Sequence, residues 1–197
     1  MPGSRRPTSR ATEIARPISV ARGSARILGV DPGLRVTGYA CLDAGNPLRP
    51  ALVEAGVIRL ARTEAGPAGR SASSVSARLM ELDTEFRALL ERLAPGVVAV
   101  EGVFAHVEYP ATAIVMGHAR GVLLLAIRRA GLRLIELRPA EVKKTLTGNG
   151  QAGKAQIQRA VQTRLGLPEL PRPADMADAI AIAWCAAARA AAPRVYP

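Results

Sequence analysis

The sequence predicts a single mixed α/β domain, and three observations predict it. Short apolar runs of strand length crowd the first third of the chain, helical periodicity takes over after them, and strands then alternate with helices, in the order βββαβαβα. The chain has 197 residues, room for one ordinary domain and short for two. Its apolar share of 49% can build a core, and with 3% aromatic residues that core is mostly aliphatic.

The elements follow in chain order. RILGV (26–30) is a short apolar run ending at Asp31, as suits a buried strand. After the DPGLR turn, TGYACLD (37–43) and ALVEAGVIRL (51–60) read as two more strands, separated by the turn AGNPLRP. Three strands on short turns imply an antiparallel meander. Beyond the Gly- and Ser-rich segment 65–74, Val75, Leu79, Leu82, Phe86, Leu89 and Leu93 recur every three or four residues, which defines an amphipathic helix stopped by Pro95-Gly96. VVAV (97–100) is a fourth buried strand that delivers Glu101 at its end. A helix from about Thr112 to Ala130 stops at Gly131, and RLIEL (133–137) is the fifth strand. Pro139 opens a short helix, the loop Gly148–Gly153 follows, Lys154–Leu165 is helical, and the last helix runs from about Asp175 to Ala190 behind the prolines 168, 171 and 173.

The formal net charge is +11 and the sequence pI about 11.1, a balance that favours an anionic partner, nucleic acid first. Part of it lies in residues 1–26, where six arginines stand against Glu13, but the rest of the chain still carries +6. Residues 1–25 are expected to be a basic disordered tail able to touch DNA loosely, residues 26–190 the folded domain and 191–197 a C-terminal tail. No apolar run reaches the ~18 residues of a membrane helix, and no signal-peptide core is visible. Cys41 and Cys185 lie in apolar contexts without metal-ligand spacing, so reduced core thiols and a cytoplasmic location are expected.

Three of the five aspartates fall where chemistry is expected. Asp31 and Glu101 each end a buried strand, and the carboxyl ends of strands are where α/β sites collect. Asp175 and Asp178 share one face at a helix start. Taken singly, an aspartate can form a turn or cap a helix. Gathered together, four carboxylates repel one another by about 4 kcal/mol per pair at ~4 Å and an effective dielectric near 20, so such a cluster requires bound cations or raised pKa values. All-oxygen ligands suit Mg2+ or Mn2+ rather than Zn2+. Two such ions can activate a water and stabilise the leaving oxygen of a phosphodiester, so acids, divalent metal and a basic surface point together to a nuclease.

Five stretches carry a resemblance: ILGVDPGLRVTGYA (27–40), VAVEGVF (98–104), GHARGV (117–122), EVKKTLTGNGQAGKAQIQ (141–158) and PADMADAIAIA (173–183). In this order, over about residues 26–188, the chain resembles the RuvC-type Holliday-junction resolvases. That resemblance implies a ribonuclease H-like fold with a mixed five-stranded sheet flanked by helices on both faces. It also implies a homodimer that resolves four-way junctions by paired symmetric nicks in recombination and repair, and leaves 5′-phosphate and 3′-hydroxyl ends. By position, Asp31, Glu101, Asp175 and Asp178 resemble the family's metal-binding acids, for two Mg2+ or Mn2+ ions per site with Asp31 shared. Lys143 and Lys154 match lysines near scissile or flanking phosphates, Lys154 with a role in offsetting transition-state charge, and Phe104 matches an aromatic that stacks beside the junction point. A RuvA/RuvB-type branch-migration complex is the implied helper. The chain departs from the family pattern at Gly102 and His118, both glutamine there, and in segment 105–116, which lacks the usual asparagine; these departures bear on base preference at the cut.

Three other readings stand beside this one. DPGLRVTG alone also resembles the phosphate-binding hairpin of sugar kinases and actin-like ATPases, but those need a second lobe for which this chain is too short. A ribonuclease H-like nuclease acting on RNA–DNA hybrids would keep the same acids. A non-catalytic junction-binding module would have no need of all four. Arg120 and the other arginines are left between phosphates and neighbouring acids as partners.

Overall fold

A computed structural model of the chain describes residues 25–46, 49–60, 72–102 and 110–191. Apart from Ala25 and Ala191, the expected tails lie outside the described residues, and so does Phe104.

The five strands are β1 (Arg26–Asp31), β2 (Val36–Asp43), β3 (Ala51–Arg59), β4 (Val97–Glu101) and β5 (Arg133–Leu137); the five helices are α1 (Ala72–Leu93), α2 (Pro110–Arg129), α3 (Pro139–Thr147), α4 (Lys154–Leu165) and α5 (Ala174–Ala191). Strand order is β3-β2-β1-β4-β5, antiparallel through β3, β2 and β1 and parallel through β1, β4 and β5. The expected meander and the mixed five-stranded sheet are both present, with element bounds within about three residues of those read from the sequence.

Side-chain alternation along each strand divides the core in two. Leu28 and Val30 of β1 and Val98 and Val100 of β4 point to one face, where Leu82, Phe86, Leu89 and Leu90 of α1 and Leu123 and Ile127 of α2 cover them. Ile27 and Ala99 point to the other face, under Ala179, Ile180 and Ile182 of α5 with Val142 of α3 and Val161 of α4. Because both faces are covered, β1 and β4 are apolar at almost every position, which is why each reads as a continuous hydrophobic run. Cys41 and Cys185 are free thiols, both buried, one in each half of the core.

Two glycines set how closely α5 lies on the sheet. A Cβ on Gly29 would stand 2.3 Å from the Ala179 carbonyl oxygen and 2.5 Å from the Ala183 nitrogen; one on Gly38 would stand 2.0 Å from the Asp175 carbonyl oxygen. No side chain fits in either place, so glycine there permits backbone-to-backbone contact. Gly38 is the β2 partner of Asp31. The helix start is thereby pressed against the end of β1.

Candidate metal centre

Asp31 and Glu101 come side by side through strand register. β1 and β4 pair in parallel up to Val30 with Val100, so the next residue on each strand is one of the two acids. Alternation puts both on the face shared with Gly29, Ile27 and Ala99, the face that α5 covers. Gly102 donates its N–H to the Leu137 carbonyl at 2.8 Å and so extends the β4–β5 pairing just past Glu101.

The turn after Asp31 is fixed by one hydroxyl. Thr37 is fully buried, and its Oγ1 donates to the Gly33 carbonyl at 2.6 Å and accepts from the Gly33 N–H at 3.2 Å. The DPGLRVT segment is thus closed on itself between Asp31 and its partner Gly38. Arg120 of α2 supports the second acid: it forms an ion pair with Glu136 of β5, and its Nε donates to the Glu101 carbonyl oxygen at 3.4 Å. Its described partners are an acid and a main-chain oxygen.

The helical acids follow from α5. Asp175, Asp178, Ala179 and Ala183 fall at helical spacing on the stripe that meets the sheet, and the first two lie where that stripe passes the strand ends. Lys154 is the first residue of α4, behind the N-cap Gly153, whose N–H is bound by the Gln156 side chain at 2.9 Å. Lys143 lies on α3.

The electrostatics show which groups face one another. Burial, then the charges of Asp178, Glu101 and Asp175, push the Asp31 carboxyl up to about 8, with Lys154 pulling the other way. Burial and Asp178 raise Glu101 against Lys143. Burial raises Asp178 as well, with Asp175 adding to the rise while Lys154 and Lys143 oppose it. Thus four carboxylates and two lysines from β1, β4, α3, α4 and α5 bear on one another at one end of the sheet. Of the seven expected site residues only Phe104 lies outside the described chain.

This donor set fits a hard divalent cation. The four acids offer only carboxylate oxygens, and burial and like charge disfavour the ionised forms of Asp31, Glu101 and Asp178 until positive charge arrives. Among the described residues no three such side chains are already closed into a cage, so the acids surround the site without being gathered on one point. Gly29, Gly38 and Thr37 were not singled out as contributors from sequence. The adjacent glycine and threonine in DPGLRVTG are the only signal that could have pointed to two of them.

The chain matches known proteins over most of its length. Residues 27–186 match the family described as crossover junction endodeoxyribonuclease RuvC. The chain is 44% identical over 169 residues to the protein of that name from Rhodopirellula baltica, a match covering 85% of this chain and 89% of the relative. Among solved structures, Thermus thermophilus RuvC superposes with a TM-score of 0.69 at 30% identity, over 84% of this chain and 95% of that one. The same protein in complex with a Holliday junction substrate gives 0.69 at 28% identity, over 84% and 94%.

Proposed function

The chain belongs to the RuvC family of crossover junction endodeoxyribonucleases, a family of metal-dependent nucleases with a ribonuclease H-like fold, and from that premise we propose how its own residues resolve a four-way DNA junction. It is a hydrolytic endonuclease of Holliday junctions that acts in recombination and repair. The observation that carries the residue-level reading is the facing of Asp31, Glu101, Asp175 and Asp178 across one end of the sheet, each of three raised in pKa by burial and by like charge.

Asp31, Glu101, Asp175 and Asp178 are the residues that would hold two Mg2+ or Mn2+ ions, with Asp31 central because the other three all act on it. Bound there, the ions supply positive charge that offsets the acids and the charge building on the phosphodiester. Lys154 faces Asp31 and Asp178, and Lys143 faces Glu101 and Asp178, so both ammonium groups border the place where a phosphate must lie. Lys154, exposed at the start of α4, is suited to stabilise charge on the phosphate oxygens as the bond breaks. Phe104, three residues beyond the end of β4, is proposed to stack on an exposed base at the crossover.

Paired nicks require two sites related by a two-fold axis, hence a homodimer. The surface that supports it is on α2, where Ile114, Gly117, Gly121 and Leu125 recur at helical spacing and are all exposed, with open space beside both glycines. A RuvA/RuvB-type branch-migration complex is the proposed source of the junction. No helix among the described residues is long and apolar enough to cross a membrane; a cytoplasmic place of action is proposed with the DNA substrate.

The test is a labelled synthetic four-way junction incubated with Mg2+, Mn2+ or EDTA beside linear duplex and RNA–DNA hybrid. Paired symmetric nicks in the junction alone, abolished by EDTA, are expected. Cutting of the hybrid in preference to the junction would overturn the substrate assignment and leave the acid cluster standing.

A further inference from the structure

We propose that Arg35 and Arg59 form a second phosphate-binding flank of the site, which grips the DNA backbone on the β2–β3 side of the acids. The proposal rests on the junction-nuclease reading and adds to it the residues that hold the strand on the side away from the two lysines.

The geometry begins with the pairing of β2 and β3. Gly38 faces Val57 and Val36 faces Arg59 across the ladder, while Gly38 is also the partner of Asp31 on β1. Cross-strand partners share a face and alternate residues return to it, so Arg59 is on the sheet face of Asp31 and Glu101. Ile58, between Val57 and Arg59, is buried in the opposite half of the core, as that alternation requires. Arg35 lies on the turn that Thr37 fixes, and its carbonyl accepts from the Leu60 N–H at 3.2 Å, which ties it to the end of β3 beside Arg59.

Both arginines are exposed, and neither has a carboxylate partner among the described residues. The charges acting on Asp31, Glu101 and Asp178 are one another, Asp175, Lys143 and Lys154; Arg35 and Arg59 are not among them. They therefore do not neutralise the metal-binding acids, in contrast to the lysines. Yet they stand at the same end of the sheet, with the α5 start between Arg59 and the centre of the site. β3 is two strands from β1, about 10 Å at ordinary strand spacing. A backbone whose scissile phosphate lies at the acids then has a flanking phosphate within reach of these long side chains. Guanidinium groups, with forked donors and weak hydration, suit a backbone phosphate better than a solvated surface role requires.

The experiment compares the wild-type chain with R35A/R59A and with R35K/R59K. Junction binding is measured in EDTA over a salt series, and single-turnover cleavage at saturating junction with metal. Loss of two phosphate contacts is expected to lower the salt slope of binding by about 1.8, from roughly 0.9 per contact. The lysine pair should keep the slope, the cleavage rate at saturation should stay within about twofold for both variants, and melting curves should coincide. An alanine pair with an unchanged salt slope overturns the flank. So does a loss of rate at saturation without a loss of binding. A wild-type chain that neither binds nor cuts the junction would instead remove the parent reading, so the two failures are distinguishable.

Discussion

At one end of the sheet stand Asp31, Glu101, Asp175 and Asp178; toward the other run the last turns of α1, α2 and α5, which carry Arg92, Arg128, Arg129 and Arg189. The topology aligns these helices: α1 ends where Arg26, at the start of β1, donates to the Leu93 carbonyl, α2 ends four residues before β5 begins, and α5 passes from Gly38 to Gly29 toward the β1 start. Their negative ends meet the arginines, an arrangement worth about 0.3–1 kcal/mol for each exposed cation and one that serves stability. The acid end works against stability. Asp175 gains from the α5 N-terminus, but Asp31 is held by burial and by three like charges. Charge at the arginine end relieves a field that the fold already has; charge at the acid end creates one that Lys143 and Lys154 offset in part and an incoming cation would relieve further.

Substitutions at the two ends should therefore act in opposite senses. The largest effect is expected for Asp31→Asn, with junction cleavage falling roughly a thousandfold or more while junction binding persists. In EDTA the same variant should be more stable than wild type. The sign follows from the raised folded pKa: the folded chain retains a proton that the unfolded chain has lost, so wild-type stability falls as pH rises from about 3.8 to about 8 and levels off above. Melting curves in EDTA from pH 5 to 8.5 should show the Asn variant gaining on wild type with pH; parallel curves would mean that Asp31 is not held up by its surroundings.

Next in size is Gly38→Ala. Its methyl would meet the Asp175 carbonyl at 2.0 Å and push the α5 start away, with cleavage expected to fall on the order of 100-fold because misplacement of about 1 Å is enough. Gly29→Ala meets the same helix farther from the acids, so it should cost mainly stability, about 1–3 kcal/mol by denaturant melts, with a smaller loss of rate. Equal rate losses in the two would erase the distinction between the ends of α5. Thr37→Val removes both Gly33 hydrogen bonds from a fully buried site and should cost about 1–3 kcal/mol, with Thr37→Ser recovering part. The smallest effect belongs to the arginine end: Arg128→Gln with Arg129→Gln should cost about 0.3–1 kcal/mol each at low salt, less at high salt, and leave cleavage unchanged. A cleavage defect there would break the contrast.

The sequence made some of this legible and hid the rest for identifiable reasons. Strands β1 and β4 could be read because burial on both faces leaves an unbroken apolar run, and the acids because each ends such a run or opens a helix. Sheet order was not read from the sequence, since local periodicity does not say that β4 pairs with β1. The closeness of α5 was hidden because a glycine in a strand signals many things, and only contact with residues 137 or more positions away picks out one. Arg120 could not be assigned because Glu136 and the Glu101 carbonyl reach it through tertiary structure alone. The same limit applies to Arg59, whose face depends on a register carried across three strands.

The bare backbone at Gly29 and Gly38 has a wider consequence. Lys143 and Lys154 reach the site on flexible stems, whereas Asp175 and Asp178 are gauged against the sheet by main chain on main chain, with no rotatable atom between. That part of the centre behaves as a machined spacer. It resists thermal loosening, and it confines adaptation of the site to the lysines, the turn and the rim. A protein engineer seeking a new cleavage preference should leave this spacer untouched and vary what surrounds it.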